Sequence, residues 1–305
     1  MNIGLPTTVV KRHVDMYGPI RGVGKWARKA YLRKRTSADG LHVFDAEWDA
    51  LVVLDACRPD LWDEVSDEYG FADGTRTVSS VGSATAEWMP KTFDTVDKET
   101  LARTAYVCAN PFSEQFLDPA DFLDLDEVWR YAWDDDVGTV RPRPVTDRAV
   151  EAGRRLDYDR LIVHYLQPHV PFLSSSESPA LATENFSPTA DGRLPDDWEL
   201  VEQGERDLST VWAEYRDNLR IVLDDVELLL SNLDAETVVL TSDHGNAVGE
   251  HGLYGHPGAI AVPALREVPW CETTAIDEGT HEPEQYDTTE VSESVSDRLE
   301  KLGYY

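Results

Sequence analysis

The chain has 305 residues, enough to bury a large core in one domain, and carries 28 basic against 58 acidic side chains, a net charge of -30 with a pI near 4.4. So large an acidic excess excludes nucleic acid as a partner, because phosphates would be repelled over most of the surface. Cys57, Cys108 and Cys271 show no CxxC spacing, which excludes a disulfide framework and points to a reducing compartment.

No apolar run approaches the roughly eighteen residues of a membrane span, and no signal sequence opens the chain. The expectation is a soluble cytoplasmic protein. Its acidic surface is the kind used in a high-salt (halophilic) cytoplasm, where screening relieves self-repulsion. Residues 8 to 35 break that pattern, with nine basic side chains against Asp15 alone. From the totals of 28 and 58, residues 36 to 305 keep 19 basic and 57 acidic. Lys25 to Leu32 reads as a short amphipathic helix with aromatics among cations. Such a helix suits either peripheral contact with the inner membrane surface or docking on the acidic body of its own domain.

The apolar run Ala50 to Leu54 predicts a strand buried on both faces, as in a parallel sheet. It ends on Asp55, and Pro59 suits the first turn of a following helix. A carboxylate at the carboxyl end of a central strand lies where open α/β sheets place ligands, although Asp55 could equally cap that helix. Residues 77 to 90 then cluster hydroxyls after Gly82, setting Ser83 or Thr85 at a helix N-terminus, where free amides favour an anion. Both are also ordinary capping residues.

Residues 104 to 109 predict another strand, and the acidic, tryptophan-rich stretch 118 to 136 carries no clear pattern. Residues 160 to 166 predict a third strand, holding His164 within it and His169 just past its end. From 174 to 204 the composition turns to Ser, Pro, Asp and Glu, a long excursion suited to a lid or to a mobile loop. Residues 206 to 233 show helical periodicity, with Leu208, Val211, Trp212, Tyr215, Leu219, Val222, Val226 and Leu229 on one face.

That helix feeds Thr237 to Thr241, a short strand that breaks at Ser242-Asp243-His244-Gly245. With His251 and His256, this places three of the eight histidines within thirteen residues. Carboxylate oxygen beside neutral imidazole suits zinc or a similar divalent cation; the alternative is a polar surface loop with solvated histidines. Beyond His256 the sequence predicts short apolar pieces at 262 to 265 and 268 to 270. A peripheral acidic tail follows from Glu272, with one helix near 291 to 302.

Asp55-Ala56-Cys57-Arg58-Pro59-Asp60, Gly82-Ser83-Ala84-Thr85-Ala86, His164 and His169 before Pro171, and Asp243-His244-Gly245 with Gly249-Glu250 and His256 occur in one order. Together they resemble the sulfatase-like branch of the alkaline phosphatase superfamily, most closely its phosphoethanolamine transferases. The resemblance implies a three-layer α/β/α sandwich with a mostly parallel central sheet. It divides the chain into a basic segment (1 to 40), a catalytic domain (41 to 275, with the 174 to 204 insertion) and an acidic tail (276 to 305).

It further implies that Asp55, Thr85, Asp243 and His244 bind one divalent metal, with Thr85 also the nucleophile. His169 and His256 would bind the transferred phosphoryl group or a second metal, with His164 and His251 as secondary candidates. Zinc is the first choice, ahead of manganese, calcium or magnesium. The implied function is a metal-dependent phosphoester hydrolase or phosphotransferase acting on phosphate or sulfate esters, glycan and lipid headgroup among them. Protonation of the leaving group would fall to His169, His256 or water.

The sequence departs from the sulfatases, which mature a Cys or Ser in a Cys/Ser-x-Pro-x-Arg motif that neither Cys57 nor Cys108 begins. A sulfuric ester hydrolase, or a catalytically silent binder of an anionic glycan or headgroup, are the alternative functions. Ala56 and Asn246 stand where sulfatases carry acids, and His256 where they carry Lys.

Overall fold

The structure, a computed structural model, describes residues 19–34, 40–175, 195–288 and 295–302. Its centre is β1 (Ala50–Leu54), five apolar residues that are all fully buried. Their alternation decides the layering. Ala50, Val52 and Leu54 enter one apolar core with Trp62, Val145, Leu219 and Val226, while Leu51 and Val53 enter a second with Trp88, Met89, Phe93 and Trp270. Each fully buried Val or Leu is worth about 1.5 to 3 kcal/mol, so both faces of the strand are committed to helices.

Around β1 lie β2 (Arg76–Ser79), β3 (Thr104–Cys108), β4 (Asp124–Glu127), β5 (Arg160–Tyr165), β6 (Ala235–Thr241) and β7 (Glu267–Ala275). Among the described residues they form a seven-stranded sheet in the order β2-β7-β6-β1-β5-β3-β4. From β6 to β4 every pairing is parallel, with Val52 opposite both Val163 and Leu240. β7 and β2 join antiparallel at the other edge. The mostly parallel α/β/α sandwich expected from the sequence is the observed architecture.

One face is covered by α2 (Pro59–Val65), α4 (Pro142–Arg155) and α6 (Leu208–Leu230), the other chiefly by α3 (Thr85–Phe93). The apolar face of α6 follows the predicted spacing, except that Leu208, at its first turn, is exposed. Of the excursion at 174 to 204, the structure describes α5 (Asp197–Gln203), opened by a capping box between Asp196 and Glu199. Residues 176 to 194 lie outside the described residues.

Two segments differ from the sequence reading, and the expected terminal helix is present. The apolar pieces after residue 262 resolve into a one-turn helix (Pro263–Arg266) and β7, a full strand against β6. The segment after Glu272 is not peripheral up to residue 288. Asp277 pairs with Arg154 at 2.8 Å, and Asp147 accepts hydrogen bonds from His281 (2.5 Å) and Tyr286 (2.7 Å). A terminal helix, α7 (Val295–Lys301), adds Leu299 to the core.

The N-terminal helix α1 (Pro19–Arg33) lies on its own domain. Lys25 pairs with Glu202 at 2.5 Å, Arg28 and Arg33 donate to the carbonyls of His251 and Gly258, and Leu32 packs on the cluster of Ala247, Leu253 and Ile260. Residues 8 to 18 and 35 of the basic segment lie outside the described residues. Among the described residues, no helix is long and apolar enough to cross a membrane.

Candidate metal centre

Parallel strands that share a register end together, so the residues following β1, β3, β5 and β6 converge at one edge of the sheet. Asp55 follows β1, Asn110 follows β3, His169 follows β5, and Asp243 and His244 follow β6. All five are buried.

His244 Nε2 is the focus. It lies 3.5 Å from Asp55 Oδ1, 3.4 Å from Asp243 Oδ2 and 3.2 Å from Thr85 Oγ1. Its Nδ1 meets the Gly245 carbonyl at 2.7 Å, which places a ring proton there and turns Nε2 toward the three oxygens. Gly245 is needed for this turn, because a Cβ there would sit 2.4 Å from the Ala264 carbonyl oxygen.

Thr85 enters from the opposite layer as the first residue of α3. Ala84 is the N-cap and makes no side-chain cap, so neither Ser83 nor Thr85 serves as the capping residue that the sequence also allowed. Thr85 Oγ1 instead donates to Asp243 Oδ2 at 2.7 Å. Ser83 uses its amide and hydroxyl on Glu87 Oε2, at 2.9 and 2.8 Å, and accepts the Ile260 amide at 3.2 Å. Glu87 also pairs with Lys91 at 2.6 Å. Despite partial burial, these contacts hold the Glu87 carboxyl down at about 2. They bind the Thr85 turn to the segment that follows His256.

Asp55 does not cap α2; Arg58 holds the N-cap position and Pro59 opens the helix. The Asp55 carboxylate accepts from Asn110 Nδ2 at 2.8 Å. Ala56 then adopts φ 62°, a left-handed conformation that is strained for a residue with a Cβ. It thereby aims its amide at Asp243 Oδ1, 3.1 Å away. Burial alone would raise the Asp243 carboxyl, but His244, His164, Thr85 and the Ala56 amide outweigh it and hold the group below the usual carboxylate range.

His169 donates its backbone amide to the Asp55 carbonyl at 3.1 Å, and its ring lies 4.8 Å from that of His256. The His256 ring in turn stacks on His244, again at 4.8 Å. Burial drives His169 down to about 4 and His256 well below its usual value, with neighbouring imidazoles adding to the effect. Both are therefore neutral at ordinary pH. His164, from within β5, presents a ligand atom within 4.8 Å of those of Asp55 and Asp243, and burial lowers it too, to about 4. His251 is exposed and stands outside these contacts, and its carbonyl accepts from Arg28.

Two groups were missed by the sequence reading. Asn110 looks like a turn residue before Pro111, and its place one step past a strand end was the only available signal. Arg58 forms ion pairs with Asp60 and Glu250, both at 2.7 Å, which tie the turn after β1 to the loop before His256.

The donor set fits a divalent cation. Two buried carboxylates, a hydroxyl and an imidazole nitrogen share one site, and a cation would relieve the cost of burying two negative charges.

No family model matches the chain, and no curated protein is similar to it in sequence. Solved structures are similar in fold. The soluble domain of lipooligosaccharide phosphoethanolamine transferase A from Neisseria meningitidis superposes with a TM-score of 0.50 at 17% identity, over 73% of this chain and 75% of that one. The integral membrane form of that transferase gives a TM-score of 0.43 at 17% identity, over 87% of this chain and 56% of that one. A 2-O GAG sulfatase gives 0.47 at 12% identity, over 74% and 63%. The chain thus has the α/β/α fold of the phosphoethanolamine transferase soluble domain, the alkaline phosphatase-like architecture that its motifs resemble.

Proposed function

We propose that this chain is a metal-dependent enzyme that transfers or hydrolyses phosphate esters with Thr85 as its nucleophile. The observation that carries this reading is the meeting of Thr85 Oγ1, Asp55 Oδ1 and Asp243 Oδ2 within 3.5 Å of His244 Nε2, all buried. Asp55, Asp243, His244 and Thr85 would hold one divalent cation, zinc first among them. His169 and His256 would face the phosphoryl group or hold a second ion. Bound there, the cation would lower the pKa of the Thr85 hydroxyl and neutralise charge on the phosphoryl oxygens.

Thr85 Oγ1 donates to Asp243 Oδ2, which would take the hydroxyl proton as the oxygen attacks phosphorus and return it when Thr85 is restored. The bond from Thr85 Oγ1 to phosphorus forms as the ester oxygen departs. His169, whose Nδ1–H is given to the Val170 carbonyl, keeps Nε2 as a lone pair suited to a second ion, and with His256 also kept neutral by burial neither has a spare proton, so the departing oxygen would be protonated by water. Water or an acceptor alcohol then attacks phosphorus, and Thr85 is restored.

A phosphate-bearing lipid or glycan headgroup is the substrate class named by the transferases of similar fold, and sulfate esters by the sulfatase. A threonine at the nucleophile position supports phosphate. Exposed Val23 and Tyr31 on α1 support contact with a lipid surface.

The test is release of nitrophenol from its phosphate monoester, phosphate diester and sulfate, with zinc or manganese added and Thr85→Ala as control. Phosphoester turnover that disappears in Thr85→Ala is expected. Turnover of the sulfate alone, or turnover that survives in Thr85→Ala, would overturn the reading.

A further inference from the structure

Thr85 and the pair Asp243–His244 arrive on different elements. β2, which leads into the Thr85 turn, is separated from β6 by β7, so no shared ladder sets their alignment. The Thr85–Asp243 hydrogen bond cannot be the only tether, because the proposed attack gives it up. Ser80, one residue past β2, makes a second connection. Its hydroxyl donates to the Asp243 carbonyl and accepts the Gly82 amide at 3.2 Å. One oxygen thus holds the backbone of Asp243 and the turn that leads to Thr85. Gly82 is itself packed against α3, since a Cβ there would lie 2.7 Å from the Trp88 amide nitrogen. A shift at Ser80 is therefore passed to the start of the helix that carries Thr85.

Arg266 holds Ser80 from the other side. Its guanidinium donates Nε, at 2.7 Å, and Nη2 to the Ser80 carbonyl, and its own carbonyl accepts the Ser80 amide at 2.7 Å. Beside it, the Leu265 carbonyl accepts the Gly245 amide at 2.9 Å. The one-turn helix Pro263–Arg266 thereby grips the Thr85 turn and the Asp243-His244-Gly245 turn at once. Ser80 and Arg266 are both buried, at 4% and 5% exposure. Withdrawing a guanidinium from water is costly, and the ladder between β2 and β7 is made by backbone groups without it.

We propose that Ser80 and Arg266 are positioning residues for the phosphoryl-transfer step, fixing the separation between the Thr85 turn and the Asp243–His244 turn. Both act on backbone groups rather than on the donor atoms. A displacement of about 1 Å at a reacting group can cost about 100-fold in rate, so a brace of this kind matters to turnover as well as to folding. The proposal rests on the Thr85 reading above and extends it to the residues that hold Thr85 in line.

The test compares Ser80→Ala with Ser80→Thr, which keeps the hydroxyl, in the full chain. It measures kcat and KM for nitrophenyl phosphate at saturating zinc, and the visible absorption of the cobalt(II) form, whose bands report the geometry of the donors. Ser80→Ala is expected to bind cobalt with shifted bands and to lose about 10- to 100-fold in kcat with KM near wild type. Ser80→Thr should regain most of both. Arg266→Lys, which replaces the two-pronged grip on the Ser80 carbonyl by a point charge, should fall between Ser80→Ala and wild type. Wild-type kcat and cobalt bands in folded Ser80→Ala overturn the proposal, since that is the behaviour of a residue that only adds stability. If Ser80→Ala does not fold, wild-type kcat and bands in folded Arg266→Lys overturn it instead. Turnover that survives in Thr85→Ala, or a wild-type chain that binds no cobalt, overturns the reading on which the proposal rests.

Discussion

The two ends of β1 and β6 carry carboxylates in opposite circumstances. At the amino ends, half-buried Asp49 accepts the Thr237 amide at 2.8 Å, while its backbone bonds Thr237 and Leu161 on the strands to either side. It splices three strands together. At the carboxyl ends, Asp55 and Asp243 are fully withdrawn from solvent and face His244 Nε2 and Thr85 Oγ1. The carboxylate at the first end meets one backbone partner, the Thr237 amide. The second end concentrates negative charge where it is expensive, and that expense supports the proposal that function resides there.

Thr85→Ala would test the contrast most severely. The variant should fold as wild type yet lose at least about 10³-fold in phosphoester kcat, as removal of a nucleophile does, measured by nitrophenol release. Asp243→Asn comes next. The metal-free variant should be less stable, because the carboxylate is held below its usual range by the donors around it and the neutral amide replaces that attraction only in part. It should lose the metal-dependent rise in stability, about 4 kcal/mol for wild type at a thousand times Kd, read by urea unfolding with and without zinc.

Acid should loosen the carboxyl end. Burial takes His164 and His169 from 6.5 to about 4, so between those values the unfolded chain binds protons that the native chain refuses. Their neutral burial therefore costs no stability above pH 6.5. Stability falls as pH drops through that window, by ~3 kcal/mol per imidazole once below pH 4. Asp243, held low, adds to the loss as pH falls further. Urea midpoints of metal-free protein from pH 7 to 4.5 should decline steadily, and a flat profile would contradict the burial argument. The smallest effect belongs to Asp49→Asn, whose amide oxygen can still accept from Thr237. Stability should fall by no more than about 1 kcal/mol, with turnover unchanged.

The sequence was most legible where burial was two-sided. Ala50–Leu54, Arg160–Tyr165 and Ala235–Thr241 carry near-continuous apolar runs because both faces of each strand are covered. At the sheet edges that signal fades. β2 is largely exposed, β4 reads Asp-Leu-Asp-Glu, and β7 mixes Pro269, Trp270 and Glu272 along one strand, so none announced itself. Within the site, Asp55, Asp243, His244 and Thr85 stood at a strand end or a helix start, positions that pattern can reveal. Asn110 and Arg58 act through partners more than 50 residues away, and such pairings are set by the packing of strands rather than by local spacing.

The proposed mechanism requires Thr85 to become covalently bound to phosphorus. The most direct measurement is to acid-quench zinc-loaded protein during turnover of nitrophenyl phosphate and map any phosphoryl group by peptide mass. A phosphoryl adduct on Thr85, absent in Thr85→Ala, is the predicted result. Turnover with Thr85 unmodified, or an adduct on another residue that persists in Thr85→Ala, would contradict it.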